Sequence, residues 1–559
     1  MSDNRRHGGQ ILVDQLRIHG VDICYGVPGE SYLAVLDALH DVPEIRYTIC
    51  RQEGGTAMMA EAYGKLTGKP GIAFVTRGPG ATNASAGLHI ASQDSTPMIL
   101  FIGQIDRSTR EREAFQEIDY RAMFGKMAKW VAEIDDVARI PELVHRAFVT
   151  ATTGRPGPVV LALPEDMLLD RAAVDDGRPY RTPQSWPAPQ DMARLHAMLD
   201  KVERPVVILG GGGWSQEAVA DIRRFIEANE LPTACGFRRQ DLLDNENPCY
   251  IGDIAIGPNP KLVERIKSAD LVIAIGTRLS EMATQGYTLL GIPDPGVPLV
   301  HIHNDPEEVG RVYQPELGMV ASMPGIARAL AEMEPVENRP WAQGVRTMRE
   351  SYLAWRQPKA TPGDLQMGEV MTWLRDRLPA DTIIANGAGN YCVWVHRFYS
   401  YRGFKTQLAP TSGSMGYGLP AAVGAKIAFP DRPTVCFAGD GCFMMHGQEL
   451  ATAMQYGVKE LVILVVNNGM YGTIRMHQER DFPTRVSGTE LHNPDFAALA
   501  RAYGAHGATV RRTEDFPAAF EEAMAAGRPA LIELVIDPEA LTPKATLSEI
   551  RAEALAAGR

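Results

Sequence analysis

Short runs of apolar, often β-branched residues alternate with longer helical stretches along the whole chain. Examples are 72–76, 98–102 and 159–163, each followed within two residues by Gly or Pro. Strands that are apolar throughout, rather than at alternate positions, are typical of parallel sheets covered by helices on both faces. The pattern therefore predicts an α/β fold of doubly wound parallel sheets.

The apolar runs fall into three blocks, separated by polar, Pro-containing stretches such as 178–190. Domain boundaries usually lie in stretches of this kind. The predicted domains are residues 1–175, 190–335 and 365–540. The first and third blocks share one order of strand, Gly-rich turn and Ala/Gly-rich helix, as at 77–91 and 412–427. We therefore expect them to be copies of one architecture.

The composition limits the class of protein and its partners. The 559 residues are 45% hydrophobic and 22% charged, which suits about three cores. The net charge of −12 and the lack of a Lys/Arg-rich block argue against nucleic acid as a partner. The seven cysteines form no C-x-x-C pair, and no export signal or membrane-length apolar run is present. We expect a soluble, cytoplasmic protein with no membrane partner.

The third block contains the motif that points to chemistry. The tripeptide G-D-G at 439–441 follows one predicted strand (433–438), and an Asn pair at 467–468 follows the next (461–466). A helical pattern at 447–456 joins these strands, so their ends meet at one edge of a parallel sheet, where ligands bind. Oxygen ligands beside glycine amides suit magnesium bridged to a diphosphate. A bare G-D-G is more often an ordinary turn; the Asn pair favours the metal site.

The segment 439–468, GDGCFMMHGQELATAMQYGVKELVILVVNN, resembles the cofactor-binding signature of thiamine diphosphate (ThDP)-dependent enzymes. The resemblance covers essentially the whole chain and extends to the large subunit of acetolactate synthase (acetohydroxyacid synthase). It implies pyrimidine-binding, central and diphosphate-binding domains in that order. It also implies that Asp440, Asn468 and the backbone carbonyl of Met470 hold magnesium.

The resemblance further implies a carboxylic acid on the aminopyrimidine of ThDP, and Glu53 is the candidate. A carboxyl group bonded to the ring nitrogen supports the proton transfer that activates the cofactor. Glu53 stands in ICRQEGGTAMMAEAYG, just after a strand, in a segment similar to that of the family. Taken alone, a Glu beside two glycines is more often a solvated loop residue.

Other cofactor contacts follow from the same resemblance. Met415, in GSMGYGLP, occupies the place where the family keeps a bulky residue between the two rings of the cofactor, although a Met is more often core filler. The flanking glycines indicate close approach of the backbone. The remaining predicted contacts are Ala388, Gly389, Asn390, Tyr391, Gly413, Gly439, Gly441, Cys442, Asn468, Tyr471, Gly472 and Thr473.

Two segments, GQIDRSTREREAFQEIDY and RGPGATN, resemble the acetolactate synthase branch. They imply that Phe115 and Gln116 reach the substrate pocket and that Gln116 orients substrate, although ordinary packing is the common role of a Phe. No adjacent His-His pair occurs in the chain, which argues against a pyruvate-decarboxylase-like enzyme.

Other positions depart from acetolactate synthases. Glu30, in YGVPGES, stands where those enzymes have Gly or Ala and simple decarboxylases have an acid. It is a candidate for protonating the intermediate or binding the acceptor, or else a Glu favoured at a helix N-terminus. His477 replaces a Trp of synthases that handle 2-oxobutanoate. FAD stays an alternative that the sequence does not favour, because the Gly run at 210–213 lacks a G-x-G-x-x-G context.

The sequence therefore predicts a ThDP- and magnesium-dependent carboligase acting on pyruvate or a similar 2-oxo acid. Because the family places Glu53 of one subunit against the diphosphate site of another, it predicts a homodimer or homotetramer with active sites at the interface. The alternatives are a ThDP-dependent decarboxylase or aldehyde lyase and, in another class, a non-catalytic nucleotide-sensing module. A nicotinamide dehydrogenase is disfavoured because the acidic ribose partner after a G-x-G-x-x-G is missing.

Overall fold

Three six-stranded sheets dominate the structure, a computed structural model that describes residues 5–558. Within each of these sheets the paired strands run parallel, and helices connect them, which confirms the predicted doubly wound α/β class. A short two-stranded sheet joins Arg6–His7 to Arg171–Ala172. Within the described part of the chain, no helix combines the length and the apolar composition that crossing a membrane requires.

The first sheet has the strand order β3-β2-β4-β5-β7-β6. Its strands β5 and β7 are buried along their whole length, as expected from their uniformly apolar sequences. The elements of this region are β1 (Arg6–His7), α1 (Gly8–Ile18), β2 (Ile23–Gly26), α2 (Leu33–His40), β3 (Arg46–Ile49), α3 (Glu53–Thr67), β4 (Gly71–Val75), α4 (Pro79–Asp94), β5 (Met98–Gln104), α5 (Tyr120–Phe124), β6 (Trp130–Glu133), α6 (Ile140–Thr152), β7 (Pro158–Pro164), α7 (Glu165–Leu169) and β8 (Arg171–Ala172).

The second sheet has the strand order β11-β10-β9-β12-β13-β14. Apolar residues fill both of its faces, so that two clusters of buried side chains enclose it. The elements of this region are α8 (Pro189–Leu199), β9 (Pro205–Leu209), α9 (Gln216–Ala228), β10 (Thr233–Gly236), β11 (Tyr250–Ile254), α10 (Pro260–Lys267), β12 (Leu271–Ile275), β13 (Leu299–His303), β14 (Leu317–Val320), α11 (Met323–Ala331) and α12 (Ala342–Trp355).

The third sheet has the strand order β16-β15-β17-β18-β20-β19. Its central strands β17 and β18 are buried except at their last residues, and those last residues belong to the G-D-G and Asn-Asn motifs. The elements of this region are α13 (Met367–Arg377), β15 (Ile383–Asn386), α14 (Tyr391–Phe398), β16 (Gln407–Leu408), α15 (Gly418–Ala428), β17 (Thr434–Gly439), α16 (Asp440–His446), α17 (Glu449–Gln455), β18 (Leu461–Asn467), α18 (Gly472–Asp481), α19 (Phe496–Ala502), β19 (His506–Val510), α20 (Phe516–Ala525), β20 (Ala530–Val535) and α21 (Leu547–Ala556).

The predicted strands lie within two residues of the observed bounds. The helical pattern at 447–456 corresponds to α17, and a separate helix, α16, begins at Asp440 directly after β17. The helix α16 was not predicted, because Gly441 and the Gly447 that separates the two helices favour turns over helix.

Near the middle of each large sheet two neighbouring strands connect in opposite directions, and doubly wound folds bind ligands at such a reversal. The reversal lies between β2 and β4, between β9 and β12, and between β15 and β17. The loops that leave these strands are therefore the first places to look for a site.

The chain divides into two compact units by its internal contacts. The first comprises the described part of Met1–Pro183 together with Leu419–Asp431 and His446–Val458, so α15 and α17 belong to it. The second comprises Gln184–Gly418, Arg432–Met445 and the described part of Lys459–Arg559. The boundaries of three domains, 1–175, 190–335 and 365–540, stay a prediction.

Candidate active site

A cavity of about 240 Å³ lies in the second unit at the carboxyl ends of β15 and β17. The loops after β15, β17 and β18 line it, as does the chain that follows β20. The predicted cofactor contacts in its wall are Ala388, Gly389, Asn390, Tyr391, Gly413, Met415, Gly439, Gly441, Cys442, Asn468, Tyr471, Gly472 and Thr473. The three predicted magnesium ligands, Asp440, Asn468 and Met470, line the same cavity.

Asp440 is the first residue of α16 and is buried, with 3% of its surface exposed. Its Oδ1 accepts a hydrogen bond from the Gly441 amide (2.9 Å). Its Oδ2 accepts from the Gly469 amide (3.0 Å) and from Asn493 Nδ2 (2.8 Å). Burial raises the pKa of Asp440, and these hydrogen bonds oppose the rise. An ionised carboxylate in this place needs a nearby cation to offset its desolvation.

The two asparagines after β18 have different surroundings. Asn467 donates through Nδ2 to Glu533 (2.7 Å) and accepts through Oδ1 from the Gly469 amide (3.0 Å). Asn468 instead lines the cavity, and its Oδ1 accepts from the Met470 amide (3.3 Å). Of the pair, Asn468 is therefore the residue whose carboxamide oxygen can serve a ligand in the cavity.

The donor set fits a hard cation. No cluster of three His, Cys, Asp or Glu side chains that could hold a metal occurs among residues 5–558. The wall of the cavity includes Asp440, Asn468 and Met470, and the Met470 carbonyl also accepts a hydrogen bond from the Gly472 amide (2.9 Å). A few oxygen donors of this kind suit magnesium, which keeps water or phosphate oxygens in its other positions.

Glycines let the wall of the cavity pack tightly. A Cβ on Gly441 would lie 2.6 Å from the Tyr471 ring, and one on Gly439 would lie 3.3 Å from the Tyr391 ring. The Tyr391 hydroxyl accepts a hydrogen bond from the Gly387 amide (3.0 Å). Across the rim, Thr473 donates to Asn390 Oδ1 (2.9 Å), which ties α18 to the loop after β15.

The first unit contains the other predicted site residues, in the segments that follow β2, β3 and β5. Glu53 is the half-buried first residue of α3, not a residue of a solvated loop. Its Oε2 accepts a hydrogen bond from Asn83 Nδ2 (2.9 Å) on α4. A Cβ on Gly80 would lie 3.4 Å from Oε1, so the glycine turn after β4 comes directly beside the carboxyl group.

Glu30 pairs with Arg77, a residue to which the sequence analysis gave no role. Glu30 begins a short 3-10 helix, Glu30–Tyr32, and its Oε1 lies 3.1 Å from the Arg77 guanidinium. The same guanidinium lies 2.9 Å from Glu165. Arg77 is only 6% exposed and donates from Nε to the Phe115 carbonyl (3.3 Å). One cation thus joins two carboxylates and the loop that carries Phe115.

Phe115 and Gln116 lie in a strained loop of the first unit. The side chain of Phe115 is 73% exposed, which contradicts ordinary packing as its role. Gln116 adopts a positive φ of 67°, which is unusual for a residue other than glycine. A Cβ on Gly78 would lie 2.7 Å from the Gln116 Cβ. The turn at 77–80 therefore touches the three predicted residues Glu30, Glu53 and Gln116.

Comparison with known proteins agrees with this geometry. Three family models match: the N-terminal TPP binding domain of thiamine pyrophosphate enzymes over residues 6–123, their central domain over 192–330 and their C-terminal TPP binding domain over 387–534. Acetolactate synthase isozyme 2 large subunit of Escherichia coli K12 is 32% identical over 538 residues, which cover 95% of this chain and 96% of that protein. The chain belongs to the thiamine pyrophosphate enzymes, in the acetolactate synthase large-subunit family.

Other relatives have the same relationship to the chain. The acetolactate synthase large subunit of Parasynechococcus marenigrum is 31% identical over 94% of this chain and 87% of its own length. That of Lactococcus lactis is 30% identical over 89% of this chain and 87% of its own length. The predicted ThDP-dependent, acetolactate synthase-like enzyme is thereby confirmed.

In this acetolactate synthase-like enzyme, packing of the central sheet accounts for the Gly run at 210–213. A Cβ on Gly211, where φ is +69°, would lie 1.8 Å from the Gly276 carbonyl oxygen. Trp214 donates from its indole to the Gly210 carbonyl (2.9 Å). The glycines thus allow the close approach of the loops after β9 and β12.

Several residues of the site carried no signal in the sequence. Asn493, which bonds to Asp440, and Leu541, which lines the cavity, follow no motif. Arg77 was visible only as part of the RGPGATN segment. A charged residue directly before a Gly-Pro-Gly turn at a strand end is the one signal that could have drawn attention to it.

Proposed function

We propose that this acetolactate synthase-like enzyme is a magnesium-dependent carboligase that decarboxylates pyruvate or a similar 2-oxo acid. It transfers the resulting two-carbon fragment to a second carbonyl compound. The observation that carries the proposal is the cavity after β15 and β17, whose wall joins Asp440, Asn468 and Met470 to the predicted diphosphate contacts. The relatives named acetolactate synthase support the same reaction.

We assign magnesium to the Asp440 carboxylate, the Asn468 carboxamide and the Met470 carbonyl. The fit rests on the burial of Asp440, which leaves an ionised carboxylate in need of a cation. It also rests on the orientation of Asn468 toward the cavity. The glycine amides beside these ligands suit the phosphate oxygens that would complete the coordination.

When bound, ThDP supplies a carbon nucleophile that adds to a carbonyl group and then stabilises the carbanion left by loss of carbon dioxide. Glu53 has the role of holding a proton at the aminopyrimidine ring nitrogen. Asn83 fixes one oxygen of its carboxyl group, and Gly80 leaves space beside the other. Gln116 would orient the substrate, and Met415, in the wall of the cavity, would contact the rings of the cofactor.

Glu30 has two candidate roles, to protonate the intermediate as a decarboxylase requires or to bind the second substrate. Its Oε1 lies 3.1 Å from the Arg77 guanidinium, which holds the carboxyl group in place. A carboxyl group held in this way supports the second role, and the products of the reaction distinguish the two.

The test is incubation of the purified protein with ThDP, magnesium and pyruvate, followed by chromatographic separation of the products. Acetolactate is the expected product. Acetaldehyde would replace the proposal by a decarboxylase in which Glu30 donates a proton. Unconsumed pyruvate would overturn pyruvate as substrate and move the search to bulkier or charged 2-oxo acids. Glu53→Gln is the control for background decarboxylation.

We further propose a cytoplasmic homodimer or homotetramer whose active sites lie at subunit interfaces. The seven cysteines are all free and buried, which suits a reducing compartment. In the second unit, Met444 and Ile474 are 51% and 54% exposed, and Ile474 belongs to the cavity wall. Exposed apolar side chains beside a cofactor site favour coverage by another subunit.

A further inference from the structure

Glu449 is a buried carboxylate of the first unit to which neither the sequence motif nor the proposed reaction gives a role. It is the first residue of α17 and is 0% exposed. Its Oε1 accepts hydrogen bonds from the backbone amides of Arg51 (3.1 Å) and Gln52 (3.0 Å). Its Oε2 accepts from the Thr452 hydroxyl (2.6 Å). Burial raises the pKa of Glu449, so these bonds offset a real desolvation penalty.

The two amides belong to the link between β3, which ends at Ile49, and α3, which begins at Glu53. Gln52 is the N-cap of α3, and its side chain accepts from the Gly55 amide (3.0 Å). A contact that fixes the backbone of Gln52 therefore also fixes the first turn of α3. Without Glu449 these two part-buried amides would lose their acceptor, which would free the start of α3.

The carboxylate also packs directly against that first turn. A Cβ on Gly55 would lie 2.6 Å from Glu449 Oε1, so the glycine makes the close approach possible. On the opposite side, Asn83 holds the carboxyl group of Glu53. The backbone and the side chain of Glu53 are thus fixed by separate partners.

We propose that Glu449 is a positioning residue for Glu53. By accepting the Arg51 and Gln52 amides, it sets the direction in which α3 starts and hence the place of the Glu53 carboxyl group at the aminopyrimidine. The inference rests on the role proposed above for Glu53. The length of the side chain matters more than its charge, because both amides bond to Oε1 and only the Arg51 amide also reaches Oε2, at the longer distance of 3.3 Å.

Two conservative variants of Glu449 separate the effect of side-chain length from the effect of charge. Glu449→Gln keeps an oxygen for the two amides and an NH₂ group that can donate to Thr452, but it removes the charge. Glu449→Asp keeps the charge and is one carbon too short. Gln455→Ala is the matched control, because Gln455 lies on the same helix and touches Arg51 only through an exposed side-chain contact.

The holoenzyme of each variant is assayed for kcat, KM, ThDP affinity and amide hydrogen exchange over residues 50–56. Glu449→Asp is expected to lower kcat about 100-fold, the scale of a 1 Å misplacement, with ThDP affinity unchanged and faster exchange at Arg51 and Gln52. Glu449→Gln and Gln455→Ala should stay within about threefold of the parent, a limit well below that scale.

Three outcomes would overturn the inference. They are a Glu449→Asp variant with the kcat of the parent, a Glu449→Gln variant whose kcat is as low as that of Glu449→Asp, and a Gln455→Ala variant with the same loss of kcat. Thermal unfolding of each variant separates a collapsed fold from a misplaced carboxyl group. If the parent enzyme itself turns over no 2-oxo acid, the proposed function fails. In that case, slow amide exchange at Arg51 and Gln52 in the parent, lost only in Glu449→Asp, would still establish that Glu449 accepts these two amides.

Discussion

Glu479 is a buried carboxylate that fastens the C-terminal helix α21 to α18. It is 0% exposed, and the Arg551 guanidinium donates one hydrogen bond of 2.7 Å to each of its oxygens. Arg475 Nε adds a bond of 3.1 Å from one turn earlier on α18. Because α18 begins at Gly472, which lines the cavity, loosening this contact would loosen one wall of the candidate active site.

The strength of the contact follows from its effect on proton binding. Hydrogen bonds from Arg551 lower the pKa of Glu479 from 4.5 to about 2, against the opposing effect of burial. One pKa unit corresponds to about 1.4 kcal/mol, so the partners of ionised Glu479 together contribute about 3 kcal/mol, and Arg551 of α21 supplies the largest part. Since the folded-state pKa is the lower one, this contribution is complete above pH 4.5 and is lost as the pH falls towards about 2.

The perturbation is Glu479→Gln, and the assay is amide hydrogen exchange of peptides from α21 at neutral pH. A loss of about 3 kcal/mol would make local opening of α21 roughly 100-fold more frequent. Glu521→Gln is the control, since its bidentate pair with Arg377 is about half exposed and should contribute less than about 1 kcal/mol. Equal amide exchange rates of α21 in Glu479→Gln and the parent would refute the reasoning. So would a difference between the two rates that does not become smaller in acid, where Glu479 takes up a proton.

Three substitutions test the site itself. Asp440→Asn should raise the magnesium concentration for half-maximal activity at least about 10-fold, and titration of activity with magnesium measures this. Glu53→Gln should lower kcat about 100-fold or more while calorimetry still shows ThDP binding, because Glu53 is not part of the diphosphate cavity. Gly441→Ala should weaken ThDP binding in the same calorimetric assay, because its Cβ would lie 2.6 Å from the Tyr471 ring; unchanged affinity would contradict the close packing.

The parts of the fold that could be predicted are those that depend on local sequence. Uniformly apolar segments such as 205–209 are strands because both faces of a buried parallel sheet are lined mainly by apolar side chains. G-D-G and the Asn pair could be placed together because they follow neighbouring strands directly. Strand ends in a doubly wound sheet have few alternative positions, so a motif at such an end identifies a site.

The parts that could not be predicted depend on contacts between distant segments. The pairing of Arg77 with Glu30 and Glu165 joins three loops far apart in the chain. The different surroundings of Asn467 and Asn468 arise from Glu533 and Asn493, which no motif contains. Side-chain partners of this kind are set by tertiary packing, and neither periodicity nor spacing encodes them.

The central sheet has the same strand-order reversal as the other two sheets, but the loops at that point pack closely against each other. The reversal lies between β9 and β12, and across it Gly211 packs against the Gly276 carbonyl and the Gly210 amide donates to the Ile275 carbonyl (3.0 Å). A flavin at this point would have to separate loops that already satisfy each other's backbone. We therefore expect the purified protein to show no visible flavin absorbance and no gain in thermal stability with added FAD. Stoichiometric flavin in the purified enzyme would show that the loops open, and would contradict this account of the glycines.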